Sequence, residues 1–173
     1  MESLVSMSDA NLTEERAKRG RHDVALWLLA CCVMVFAMVI IGGVTRLTES
    51  GLSMVEWRPI FGTLPPFAVA EWERIFALYR ESPQYLAHST GMTLAEFKTI
   101  YWWEYVHRLS GRLIGLVFLL PFLWFVVRRR ISWRMTLALA GLFALGGLQG
   151  VLGWYMVQSG LIDQPRVSPY RLT

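Results

Sequence analysis

Glu104 and His107 are the two residues whose types and spacing could do chemistry. Three apart on a helix, they share one face, a turn from each other. An imidazole can ligate a metal, and a carboxylate one turn away can take a proton or stabilise developing positive charge. Gly111 and Gly115 continue the stripe, leaving the helix surface below the imidazole bare. That pattern suits a haem, with a neutral imidazole on the iron and glycines leaving room for the flat ring. A plainer arrangement uses the same residues: Glu104 pairs with Arg108 at i,i+4 and His107 is hydrogen-bonded or solvated. Arg108 and Arg112 could neutralise haem propionates or snorkel to lipid headgroups.

The elements that must position these residues are membrane helices. Of 173 residues, 54% are apolar and 17% charged, and mean hydropathy is +0.39, which favours the membrane class. The charges are clustered. Residues 24–44 and 135–157 are uncharged runs long enough to cross a hydrocarbon core of roughly 30 Å. A middle run, residues 113–127, would cover only about 23 Å at a rise of about 1.5 Å per residue. Its span must therefore begin near residue 106 and draw His107, Arg108 and Arg112 in, groups that are costly in lipid unless they face protein, cofactor or interface. The expected fold is all-α: a polytopic bundle with spans at about 24–44, 106–127 and 135–157.

Lys and Arg near the span ends set the orientation. Arg16, Lys18, Arg19 and Arg21 precede the first span, and Arg128, Arg129, Arg130 and Arg134 lie between the second and third. Both regions are expected to be cytoplasmic, as is the N-terminal segment 1–23. The segment 45–105 and the tail 158–173 then lie outside. The net charge of +4 follows from this topology and requires no nucleic-acid partner. The first apolar run is too long for a signal-peptide core and has no small-residue cleavage site after it, so it is expected to stay as a signal anchor. Glu2, Asp9, Glu14 and Glu15 argue against an acid-poor mitochondrial presequence, which makes a bacterial inner membrane the simpler location. Cys31 and Cys32 are adjacent inside the first span and read as small packing residues.

The outer segment is patterned. After Pro65 and Pro66, residues Val69, Trp72, Ile75, Phe76 and Tyr79 recur at helical spacing, which predicts an amphipathic helix on the membrane or on the bundle. Thr93 with Glu96 is a capping-box pattern and predicts a helix start that runs into the second span. Tyr101, Trp102, Trp103 and Tyr105 read mostly as an interfacial aromatic belt. Pro121 falls inside the second span, tolerable where a neighbour satisfies the freed carbonyl. Gly146, Gly147, Gly150 and Gly153 give the third span a stripe of small residues, suited to a close helix or to a flat macrocycle.

Four stretches carry a resemblance to a known family: GGVTRLTESGLSMVEWRPIFGTLPP at residues 42–66, WWEYVHRLSGRLIG at 102–115, GGLQGVLGWYMVQSGL at 146–161 and RVSPYRLT at 166–173. In order, and from the first span onward, they resemble haem A synthase, the membrane enzyme that converts haem O to haem A for terminal oxidases. The resemblance implies an eight-helix protein of two similar four-helix halves, each able to hold a haem between histidines on paired helices near the outer surface. Its Glu-x-x-His motif falls on Glu104 and His107, implying a catalytic carboxylate at Glu104. It likewise implies an axial ligand or substrate-haem contact at His107, and Arg108, Gly111, Arg112 and Gly115 of the same stretch are then the candidate haem-binding residues beside it. The implied reaction oxidises a porphyrin methyl to a formyl group with oxygen from water, with haem B as cofactor and haem O as substrate.

Two departures accompany the resemblance. Some family members carry an outer-loop cysteine pair, whereas both cysteines here lie in the first span, as in the cysteine-free type. The sequence also stops where the family enters a fourth span with the opposing histidine, and neither His22 nor His88 is placed to replace it. A first half, inactive by itself, is the expectation. The implied partners are haem O, membrane lipid and a neighbouring haem O synthase, and a homo-oligomer is left open. Two other functions fit the bare pattern: a bis-histidine membrane cytochrome that carries electrons, in which Glu104 is incidental, and a non-catalytic assembly subunit that docks through its third span.

Overall fold

A computed structural model describes residues 2–56 and 65–162; for 2–14, 16, 17 and 159–162 it describes the backbone alone. The end of the resemblance at residues 166–173, and its 57–64 portion, lie outside the described residues. Those that are described form helices α1 (Glu2–Leu47), α2 (Val69–Arg80), α3 (Pro83–His88), α4 (Leu94–Val127) and α5 (Trp133–Ile162). Segments Lys18–Leu47, Leu94–Val127 and Trp133–Gln158 are long and apolar enough to cross a membrane. The all-α, three-span reading therefore agrees with the structure. The helices outrun the apolar runs: α4 has 34 residues, roughly 50 Å at the α-helical rise, so part of it projects beyond a hydrocarbon core.

The ends of these helices follow from local chemistry. Thr93 caps α4 reciprocally: its Oγ1 accepts from the Glu96 N–H at 3.3 Å and its own N–H donates to Glu96 Oε2 at 2.8 Å. Ser82 caps α3 by accepting from the Tyr85 N–H at 3.3 Å, with Pro83 in the first turn. The short α3 carries no periodic apolar signal and was not expected from the sequence. Helices α1 and α4 both close with paired carbonyl caps around a left-handed residue, Glu49 (φ 52°) and Arg129 (φ 51°). Ser50 and Glu49 donate to the Thr45 and Arg46 carbonyls at 3.0 and 3.2 Å, and Arg130 and Arg129 to those of Phe125 and Val126 at 2.9 and 3.0 Å.

Helix α1 packs chiefly on α4, and α4 also packs on α5. Two cores result, one at each pole of the α1/α4 pair. At the turn pole, where residues 128–132 join α4 to α5, Val24, Trp27, Cys31, Phe122, Phe125 and Leu139 are buried together. At the loop pole, where residues 48–92 connect α1 to α4, the core is Met54, Trp72, Tyr79, Tyr85, Phe97, Tyr101 and Tyr105. Helix α2 thus lies on the bundle, with Trp72 edge-on to Tyr101 at 5.0 Å between ring centroids. Burial pushes the Tyr79 phenol pKa up, and its hydroxyl meets Ser89 Oγ at 3.3 Å. Tyr101 and Tyr105 depart from the belt reading, because they share the α4 face of Phe97 and turn toward α2, whereas Trp102 and Trp103 remain exposed.

Pro121 is accommodated by a bond between helices. It has no N–H for the Val117 carbonyl one turn back, and the Trp27 indole Nε1–H of α1 donates to that oxygen at 2.9 Å. The same indole lies 5.2 and 5.4 Å from the Phe118 and Phe125 rings. A sequence-local defect in α4 thereby sets the register of α1 against it.

Candidate functional site at the loop pole

The register fixed by Trp27 brings the far end of α1 alongside Glu104 and His107. Glu104 is 2% exposed. Its side chain reaches the residues just after α1: Oε2 accepts from Ser53 Oγ at 2.6 Å and from the Met54 N–H at 2.7 Å. Its other oxygen, Oε1, accepts from the guanidinium of Arg108, one turn along α4. Every one of these partners is a donor, the set that an ionised carboxylate requires when removed from water. The i,i+4 pairing with Arg108 seen as the plainer option in the sequence is therefore present. It occurs together with burial, so it is no exposed surface pair.

His107 is half-buried and directed at α1. A side-chain carbon at Gly42 would stand 3.2 Å from its Nε2 and 3.6 Å from its Cδ2, so the ring occupies space that only a glycine leaves. Below it, the stripe is less bare than its spelling suggests. A Cβ at Gly111 would meet Met38 Cε of α1 at 3.5 Å, whereas one at Gly115 would meet nothing within 4 Å. Methionine fills the first gap because its flexible stem can lie along a neighbouring backbone, and the gap at Gly115 stays open. Arg112 is half-buried on α4, and His22 and His88 are exposed. On α5, a Cβ at Gly146, Gly147, Gly150 or Gly153 would likewise meet nothing within 4 Å.

The loop that reaches Glu104 is itself anchored. Ser50 donates through both its N–H and its Oγ to the Thr45 carbonyl, each at 3.0 Å, and the Ser53 N–H donates to Ser50 O at 3.2 Å. Gln84 Nε2 of α3 donates to the Glu49 carbonyl. Arg74 of α2 holds Glu56 with two bonds, 2.8 and 2.9 Å, and Glu71 with another two. Those bonds, to Glu56 first and then Glu71, push the Arg74 pKa up, although the cluster is well exposed.

Sequence reasoning found Glu104 and His107 but missed Gly42, Ser53 and Met54. The available signal was the run Thr-Glu-Ser-Gly-Leu-Ser at residues 48–53, small and polar immediately after an apolar span. Such residues bond backbone and side chains locally.

Residues 25–173 match the sequence profile of a family described as cytochrome oxidase assembly protein. The chain belongs to that family. Among relatives, it is 54% identical over 173 residues to the heme A synthase of Nitrosomonas eutropha, covering all of this chain and 49% of that protein. Over 153 residues it is 57% identical to the heme A synthase of Nitrosospira multiformis, covering 88% of this chain and 43% of that one. Over 158 residues it is 58% identical to that of Rhodospirillum centenum, covering 91% and 42%. The chain spans about half the length of the curated relatives it matches. No solved structure matches it. Family and helices together make it a membrane protein.

Proposed function

We propose that this chain is the first half of a haem A synthase, oxidising a methyl group of haem O to the formyl group of haem A for cytochrome oxidase assembly, and that it needs the other half to act. The names of its relatives support the reaction class. The observation that carries the site is the buried Glu104 carboxylate, one α4 turn from an imidazole whose Nε2 edge faces the side-chain-free Gly42.

The donor chemistry at this pole fits a haem. His107 offers an imidazole nitrogen, Gly115 leaves space beside the helix, and Arg112 brings a cation suited to a propionate. When bound, a haem B would supply the redox chemistry. The chain's own contribution is placement and charge. Glu104 contributes negative charge in a site from which water is largely excluded, able to stabilise the positive charge that builds at a methyl carbon as it is oxidised. Arg108 holds Glu104 Oε1 and limits its rotation. Water supplies the oxygen in this reading, and a haem O synthase in the same membrane would supply the substrate.

The same reading sets the protein in a bacterial inner membrane with its N-terminus cytoplasmic and the site at the outer face. In support, the basic residues before the first span share a pole with the 128–132 turn: Arg130 Nη1 and Asp23 Oδ2 are 3.0 Å apart. The test is reconstitution of the intact protein with haem O, an electron acceptor and oxygen-labelled water. Chromatography should reveal labelled haem A from the parent protein and none from Glu104→Gln, which should still retain haem. Equal haem A from both would remove Glu104 from the reaction, and none from the parent would remove the function.

A further inference from the structure

A carboxylate that acts by its charge must be held still, since a freely turning group spreads that charge over many positions. Two of the donors on Glu104 belong to adjacent loop residues and converge on the same oxygen, Oε2. Ser53 is as buried as Glu104, each 2% exposed. Its hydroxyl has a second acceptor within reach, Ile100 O at 3.4 Å, but a single proton favours the carboxylate at 2.6 Å. The stretch that carries these donors is tied to α1 through Thr45, to α3 through Gln84 and to α2 through Arg74. Its shape does not depend on Glu104 alone.

We propose that Ser53 is a positioning residue for Glu104. With the Met54 N–H it forms a clamp that fixes Oε2 on the loop side and leaves the edge bearing Oε1 and Arg108 to act on the substrate. The proposal rests on the reading of Glu104 as the charge-bearing residue of the synthase. A loop residue outside the Glu-x-x-His motif then controls the turnover step more than substrate binding.

The experiment uses the intact protein in membranes, with Ser53→Ala, Ser53→Thr and Ser53→Cys beside the parent and Glu104→Gln. Ser53→Ala should lower kcat for haem O oxidation about tenfold, the scale of a lost hydrogen bond to a charged group, with KM little changed. Thr should restore kcat, and Cys, a weaker donor, should fall between. An activity-free readout runs in parallel: the infrared carboxylate stretch of Glu104, identified as the band lost in Glu104→Gln, should move in Ser53→Ala and return in Ser53→Thr. An unmoved band in the Ala or Cys variant overturns the clamp. So does an unchanged kcat, and so does a lowered kcat that Thr fails to restore. Should the parent make no haem A, the functional reading fails, and the band still decides the clamp. If Ser53→Ala does not assemble, Ser53→Cys carries the same comparison.

Discussion

The two poles of the α1/α4 pair solve the same packing problem with opposite chemistry. At the turn pole the helices are joined inside by an apolar cluster and a neutral hydrogen bond, Trp27 Nε1–H to Val117 O, which serves the carbonyl that Pro121 abandons, and the Arg130–Asp23 ion pair there stays exposed. At the loop pole they meet through a buried carboxylate that gathers a hydroxyl, a backbone N–H and a guanidinium. A neutral bond would fix the register at either end. Burying a charge costs several kcal/mol unless it is fully partnered, so stability alone gives little reason to choose the loop-pole solution. The contrast supports the proposal that the loop pole is the functional one.

Removing the charge should break the comparison most. Glu104→Ala removes the acceptor of the Met54 N–H, the nearer acceptor of the Ser53 hydroxyl and one partner of Arg108 together. The expected loss is about 3–5 kcal/mol, the cost of breaking a buried pair by deleting one partner. Denaturant unfolding of the detergent-solubilised protein checks it, and the near-isosteric Glu104→Gln should lose less.

Crowding the imidazole should come next. Gly42→Ala brings a methyl to 3.2 Å from His107 Nε2, a tight contact to which the imidazole must give way by a few tenths of an ångström. It should cost about 1–3 kcal/mol as an overpacked substitution and alter the haem absorption of the intact protein. Gly111→Ala, whose methyl meets only the flexible end of Met38 at 3.5 Å, should leave the spectrum unchanged.

The smallest effect belongs to the turn pole. Trp27→Phe keeps most of the ring packing and loses the donor to Val117 O, at a cost of about 1 kcal/mol. Pro121→Ala restores an N–H to α4 and gives that carbonyl its helical partner back. In the double variant the Trp27→Phe cost should shrink, a coupling that a double-mutant cycle measures. Additive effects would mean that the indole does not serve the proline's carbonyl.

What the sequence revealed of all this divides along physical lines. Spans, the α4 cap and the amphipathic α2 were legible because each depends on residues close in the chain: an apolar run, Thr93 with Glu96, the spacing of Trp72 and Tyr79. Glu104 and His107 were legible because they share one helix face. Ser53 and Gly42 were not, because their roles come from α1 lying against α4, with Ser53 and Glu104 51 positions apart. Pro121 announced the need for a donor but could not name Trp27, 90 residues from Val117. Gly111 shows the converse: its lack of a side chain was visible, and the Met38 that fills the gap was not.

Amide hydrogen exchange at Met54 in the intact protein is the most direct test of the loop-pole bond, because its N–H donates to the Glu104 carboxylate. Slow exchange in the parent, becoming markedly faster in Glu104→Ala while Arg129 and Arg130 at the turn pole stay protected, is the predicted result. Equal exchange at Met54 in parent and variant would contradict it, and with it the claim that the carboxylate holds the loop to α4.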